Sequence, residues 1–153
     1  MADTSLNENR ISLLIWQTSN LWQSKIRKFL KNTKLTFNEY LILETLYKLK
    51  QNQDNITQQD ICINSAMDKS VVSLKINSLE QKKLINRLQP KDKRSYGLFM
   101  TNNGNLLVET IISSIENQEK ILFDKLGSEI FNFTNSLKLL LGKKIRIKAK
   151  LND

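Results

Sequence analysis

A chain of 153 residues can bury one core without disulfides or metals, and four Gly with a single Pro favour a helical protein over a turn-rich β-sandwich or barrel. Lys and Arg number 24 against 15 Asp and Glu, a net charge of +9 that suits an anionic partner, nucleic acid or a membrane surface. One Cys excludes an internal disulfide and fits a reducing cytoplasm, and the lack of any His removes histidine acid–base chemistry, Ser-His-Asp arrangements and most zinc sites.

The first residues hold no basic segment ahead of an apolar one, so no secretory signal is expected. Ser5-Leu6-Asn7-Glu8 has capping-box spacing, in which a hydroxyl and a carboxylate satisfy each other's backbone donors. Behind it Ile11, Leu14, Ile15, Trp22, Ile26, Phe29 and Leu30 recur at helical spacing to about Lys31. Thr36-Phe37-Asn38-Glu39 is a second capping box, opening a helix that carries Tyr40, Leu41, Leu43, Leu46 and Tyr47. After the polar break 51–55, Thr57 caps a short helix to about Asn64 with Ile61 facing inward, and Asp68 caps the next, to about Lys82. Leu84 to Gln89 and Tyr96 to Thr101 read as short strands enclosing a basic loop. Thr101 or Asn102 restarts helix, with Leu106, Leu107, Ile111, Ile115 and Leu122 on its apolar side. A final helix starts near Gly127-Ser128 and carries Ile130, Phe131, Phe133, Leu137, Leu140, Leu141 and Ile145. Apolar runs such as Leu139-Leu140-Leu141 are far too short to span a bilayer, so no membrane partner is expected.

From Thr57 to Thr101 the order is helix, turn, helix, strand, basic loop, strand, that of a winged helix-turn-helix. The expected fold is therefore mainly α with a small β-hairpin wing. On the second helix Val72, Ile76 and Leu79 form one stripe for the core. The opposite side is Ser70, Ser73, Leu74 and Asn77, with Lys69 at the start and Lys75 flanking the core. Ser and Asn can hydrogen-bond base edges, and Leu74 or Val71 can meet a thymine methyl; a merely solvated outer face is the competing reading. In the loop, Lys91, Lys93 and Arg94 suit phosphate or a narrow minor groove, beside an Asp92 able to orient Arg94. Between Asp68 and Ser95 stand eight Lys or Arg and three Asp or Glu, so more than half of the net charge sits in this stretch.

These motifs resemble the MarR family of winged helix-turn-helix transcriptional regulators. Leu35-Thr36 is similar to the family's entry to its scaffold helix, and Thr57-Gln58-Gln59-Asp60-Ile61 to its Thr-x-x-Glu-Leu opening. Asp68 to Ser73, Leu79-Glu80 and Leu84-Ile85-x-Arg87 resemble the recognition helix and first wing strand. Asp92-Lys93-Arg94 resembles the Asp-x-Arg wing motif, and Met100-Thr101-x-x-Gly104 the Leu-Thr-x-x-Gly that ends the wing. The resemblance implies a homodimer, with interlocked first and last helices, that binds double-stranded DNA through recognition helices in successive major grooves. It implies that Ser70, Ser73, Leu74 and Asn77 read bases, that Arg94 enters the minor groove, and that Lys69, Arg87, Lys91 and Lys93 hold phosphate. In domain terms, residues 1–153 form one domain, with 36–101 the DNA-binding part and 5–31 and 102–148 the dimerisation part. The apolar final helix independently suggests pairing, because Phe131, Phe133, Leu137 and Leu141 would be partly exposed on a lone domain. Two positions depart from the family: Lys83 stands where Gly is usual, so a left-handed backbone there would carry strain, and Leu74 where a polar residue is common.

A small-molecule effector is a further partner to expect of such a regulator. Trp16, Trp22, Tyr40 and Tyr47, with Phe29, are candidates for a pocket between the first two helices and the partner, or else for core aromatics. Cys62 reads as a small core residue. Lys138, Lys143, Lys144, Arg146, Lys148 and Lys150 form a second basic cluster, either a solvated helix end or extra phosphate contacts. No cofactor, metal or catalytic residue is expected. The leading reading is a cytoplasmic, sequence-specific repressor, with a winged-helix module for protein or RNA as the alternative.

Overall fold

A computed structural model describes residues 9–88 and 97–146, and the chain divides into two compact units, Met1–Glu116 and Asn117–Asp153. The first holds α1 (Ile11–Leu30), α2 (Phe37–Lys50), α3 (Gln58–Ser65), α4 (Lys69–Gln81), β1 (Ile85–Leu88) and β2 (Gly97–Met100). Helix α5 (Asn102–Phe123) leaves it, and the second unit continues through a 3-10 segment, Asp124–Glu129, into α6 (Ile130–Leu140).

Local signals explain most boundaries. Thr36 accepts from the Glu39 amide at 3.3 Å while Glu39 reaches back to the Thr36 amide, and Thr57 with Asp60 repeats the box at α3. Thr101 plays the same part for α5, accepting from the Gly104 amide at 3.0 Å. The Ser5–Glu8 box lies outside the described residues; α1 begins only at Ile11, behind Arg10, whose side chain makes no cap bond. Asp68 holds the N-cap position of α4 but, contrary to expectation, its carboxylate makes no cap bond.

The last helix also differs from the sequence reading. Gly127, at φ +55 and ψ −127, breaks the helical path, so α6 starts at Ile130 and not near Gly127. It stops at Leu140, short of Ile145. There Gly142 turns left-handed, with its amide bonded to the Leu139 carbonyl and the Lys143 amide to that of Lys138, the paired bonds of a Schellman end.

The core of the first unit gathers the end of α1, α2, α3, α4, the hairpin and α5 as far as Ile115. Tyr40, Leu43, Leu46, Ile61, Ile85, Val108 and Ile115 are fully buried there, each aliphatic contributing roughly 1.5–3 kcal/mol over exposure. Strands β1 and β2 pair antiparallel, with Ile85 opposite Met100 and Leu88 opposite Gly97. On its other edge β2 meets the entry to α3: the Leu98 amide donates to the Ile56 carbonyl at 2.8 Å, and Thr57 bridges to Gly97.

Candidate nucleic-acid interface

Helices α3 and α4 are joined by a turn whose Ala66 is left-handed, φ +57. Ser65 stitches this turn, donating to the Ile61 carbonyl at 2.6 Å and accepting from the Met67 amide at 3.3 Å. On α4 the stripe Val72, Ile76 and Leu79 is wholly buried. The rest of the helix stands clear of the core: Lys69, Ser70 and Asn77 are exposed, Ser73 and Lys75 half-buried, and Leu74 is 66% exposed. An aliphatic side chain that far into solvent does nothing for the fold, whereas it offers an apolar surface to a partner.

The C-terminal end of α4 is fastened from two sides. Lys83 is left-handed at φ +59; its amide bonds to the Glu80 carbonyl and that of Leu84 to the Leu79 carbonyl, so the expected strained lysine closes another Schellman end. Thr101 clamps this corner, its hydroxyl donating to the Lys83 carbonyl at 2.7 Å. A side chain at Gly104 would put its Cβ 2.3 Å from the Leu84 carbonyl oxygen, which is why glycine follows Thr101 at this spacing. On the other side, Lys82 Nζ donates at 2.7 Å both to the buried Glu39 carboxylate and to the Lys34 carbonyl. Burial alone would push the Glu39 carboxyl up, but bonds from Lys82 and Thr36, with the ammonium charge, hold it below its ordinary value.

The hairpin contributes Arg87, half-buried on β1, whose guanidinium donates to the Asn77 side-chain carbonyl. The structure thus brings a strand cation onto the exposed side of α4. Lys91, Asp92, Lys93 and Arg94 lie outside the described residues.

The four aromatic effector candidates differ widely in burial. Tyr40 is fully enclosed in the core, because its position on α2 faces the packed helices, so it takes the core role. Trp22 packs edge-on against Phe37 at 5.2 Å, Tyr47 is half-buried, and Trp16 is 64% exposed. None of them lines either of two cavities seen among the described residues. One, about 320 Å³ and largely apolar, lies in the second unit among Phe123, Leu126, Ile130, Phe133, Leu137 and Leu141. The other, about 420 Å³, lies in the first unit and brings Arg27, Lys31 and Lys34 together with Lys75. The sequence reading passed over those three cations; Arg27 and Lys31 stand one helical turn apart, a spacing that could have flagged them.

Cys62 is half-buried against the core. Of the C-terminal cations, Lys138, Lys143, Lys144 and Arg146 are described, and the Arg146 backbone is tied back to α6 by both side-chain atoms of Asn135, at 2.7 and 3.1 Å. Lys148 and Lys150 lie outside the described residues. Among the described residues no cluster of His, Cys, Asp and Glu fits a metal, and no helix is long and apolar enough to cross a membrane.

With this geometry established, known proteins supply a comparison. Residues 35–96 match the model of the MarR family. YdcH of Bacillus subtilis, an uncharacterised HTH-type transcriptional regulator, is 28% identical over 129 residues, which is 84% of this chain and 87% of that protein. Among solved structures, MepR from Staphylococcus aureus in its complex with DNA aligns with a TM-score of 0.78 and 28% identity, over 89% of this chain and 97% of MepR. A MarR transcriptional regulator from Methanosarcina mazei aligns at 0.71 and 24% identity, over 86% and 94% of the two chains, a likeness of fold.

Proposed function

We propose that this chain is a regulator of the MarR type, which binds double-stranded DNA as a homodimer with α4 in the major groove, a reading supported by the match of residues 35–96 to the family model and by the likeness to MepR. The outer face of α4 carries the reading: Ser70, Ser73, Leu74 and Asn77 lie opposite a fully buried stripe and are free of any duty to the core. Ser and Asn can exchange hydrogen bonds with base edges, and Leu74 suits a thymine methyl. Lys69, Arg87, Lys91 and Lys93 hold phosphate in this scheme. Arg94 enters the minor groove in the same scheme. The chain acts by binding, not catalysis, and repression is the proposed outcome.

Pairing is supported by apolar surface that a single copy leaves in water. Ile11, Leu14, Ile15 and Trp16 are exposed along the start of α1, and Leu139, Leu140 and Leu141 at the end of α6. Residues 5–31 and 102–148 are accordingly proposed as the dimerisation part, and 36–101 as the DNA-binding part. Trp16, Trp22 and Tyr47 are proposed to line an effector pocket closed by the partner protomer.

Fluorescence polarisation on duplexes selected from genomic DNA tests the reading. Binding should be sequence-dependent and fall steeply between about 50 and 200 mM salt. Binding indifferent to both sequence and salt would overturn it, and would favour the docking of protein or RNA, which the exposed Leu74 also suits. Arg94→Ala should weaken binding while the dimer stays folded.

A further inference from the structure

The cleft of about 420 Å³ opens along one flank of α4, between the last turn of α1, the connection 31–36 and the first turn of α2. Arg27, Lys31, Lys34 and Lys75 line it, and no acidic side chain does. Phe37 and Asn38, the first two residues of α2, complete one wall; the capping box serves the amides of Thr36 and Glu39, so theirs have no partner within the helix. Four cations and a helix N-terminus around one hollow form a seat for an anion.

We propose that this cleft seats a phosphodiester of the DNA backbone, a contact additional to those of the outer face of α4 and the hairpin. The proposal rests on the DNA-binding reading above and extends it to a second strand of the duplex. A helix with its side chains is about 10–12 Å across and the major groove about 12 Å wide, so a helix in the groove has a phosphate rim against each flank. Lys75 lies roughly 160° around α4 from Asn77 at 3.6 residues per turn. Arg87 reaches the Asn77 side, so the hairpin and the cleft serve opposite rims.

The cleft is also held at a fixed offset from α4. Lys82, at the C-terminal end of that helix, grips the Lys34 carbonyl and Glu39 together, fastening the 31–36 connection to it. The same ammonium neutralises Glu39, so the buried carboxylate does not offset the charge of the cleft. Arg27 is placed beforehand, its guanidinium donating to Gln23 at 3.1 Å and lying 5.8 Å from the centre of the Phe37 ring.

The test is the variant Lys31→Gln/Lys34→Gln, which spares the packed Arg27 and the whole of α4. Polarisation titrations from 50 to 300 mM salt would use the selected duplex and an unrelated duplex of equal length. The expected result is weaker binding by the same factor on both. The log–log salt slope should also be shallower by about 1.8, two phosphates per dimer at about 0.9 each, with an unchanged melting temperature. An unchanged affinity and slope, while Asn77→Ala still weakens binding, would overturn the cleft and leave the DNA reading standing. Failure of the wild-type protein to bind any duplex would remove both. Inorganic phosphate at constant ionic strength is the remaining arm. If it shifts the Asn38 amide resonance while the double variant keeps the wild-type salt slope, the cleft holds a free anion and the proposal fails.

Discussion

At the corner where α4 turns into β1, Lys83 is left-handed and Gly104 packs against the Leu84 carbonyl. Lys83 carries a left-handed φ that costs an L-residue about 1–2 kcal/mol, less what a glycine adds to the freedom of the unfolded chain. Lys83→Gly should therefore stabilise the protein by about 0.5–1 kcal/mol, read as a higher urea midpoint at unchanged slope; a lower midpoint would mean that the lysine side chain stabilises the corner. Gly104→Ala should do the reverse. Its Cβ would meet backbone oxygen at 2.3 Å, and backbone cannot yield as a side chain does, so a loss of about 2–3 kcal/mol is expected from the same measurement. Normal stability of that variant would show that α5 can slide away from the corner.

At the scale of elements, the contact between α2 and α4 depends on an ion pair that is buried at one end. Glu39 is almost inaccessible while the Lys82 side chain is about a third exposed, so removing the lysine strands a carboxylate that water reaches poorly. Lys82→Met should cost about 1–3 kcal/mol, less than a fully enclosed pair, because one partner is already part-solvated. The pH dependence follows from the depressed Glu39 value. Its contribution is complete above the ordinary carboxylate range, about 4.3, and drains away as pH falls through the lower folded value. Glu39→Gln should flatten that limb of an acid-unfolding profile, and an identical limb in the variant would assign the acid sensitivity to other carboxylates. Elements of this kind divide cleanly by how far their signals reach along the chain. The box at Thr36, the cap at Thr57 and the stripe of Val72, Ile76 and Leu79 are legible because each is complete within a dozen residues. Lys82 meeting Glu39, or Arg27 sharing a cleft with Lys75, joins residues more than forty apart, and no local pattern announces such a meeting. The break at Gly127 escapes the sequence for a different reason: a glycine beside a serine reads as a helix start, and only the backbone angle shows the turn that precedes α6.

For the whole molecule, the exposed apolar residues of α1 and α6 make stability and assembly one question. If they form the dimer surface, Leu14→Glu combined with Leu140→Glu should give monomers in sedimentation at micromolar concentration, since neither side chain belongs to the core. A dimer that survives both charges would move the interface elsewhere. Within the first unit, strand β2 has company on each edge, β1 on one and the Ile56–Thr57 segment on the other. A four-residue strand would ordinarily fray and trade its amide protons with solvent quickly, yet the Leu98 proton is sheltered by the Ile56 carbonyl and can escape only when the approach to α3 opens as well. In deuterium labelling it should therefore persist with the slow interior class, marking hairpin and helix entry as parts of one cooperative opening unit.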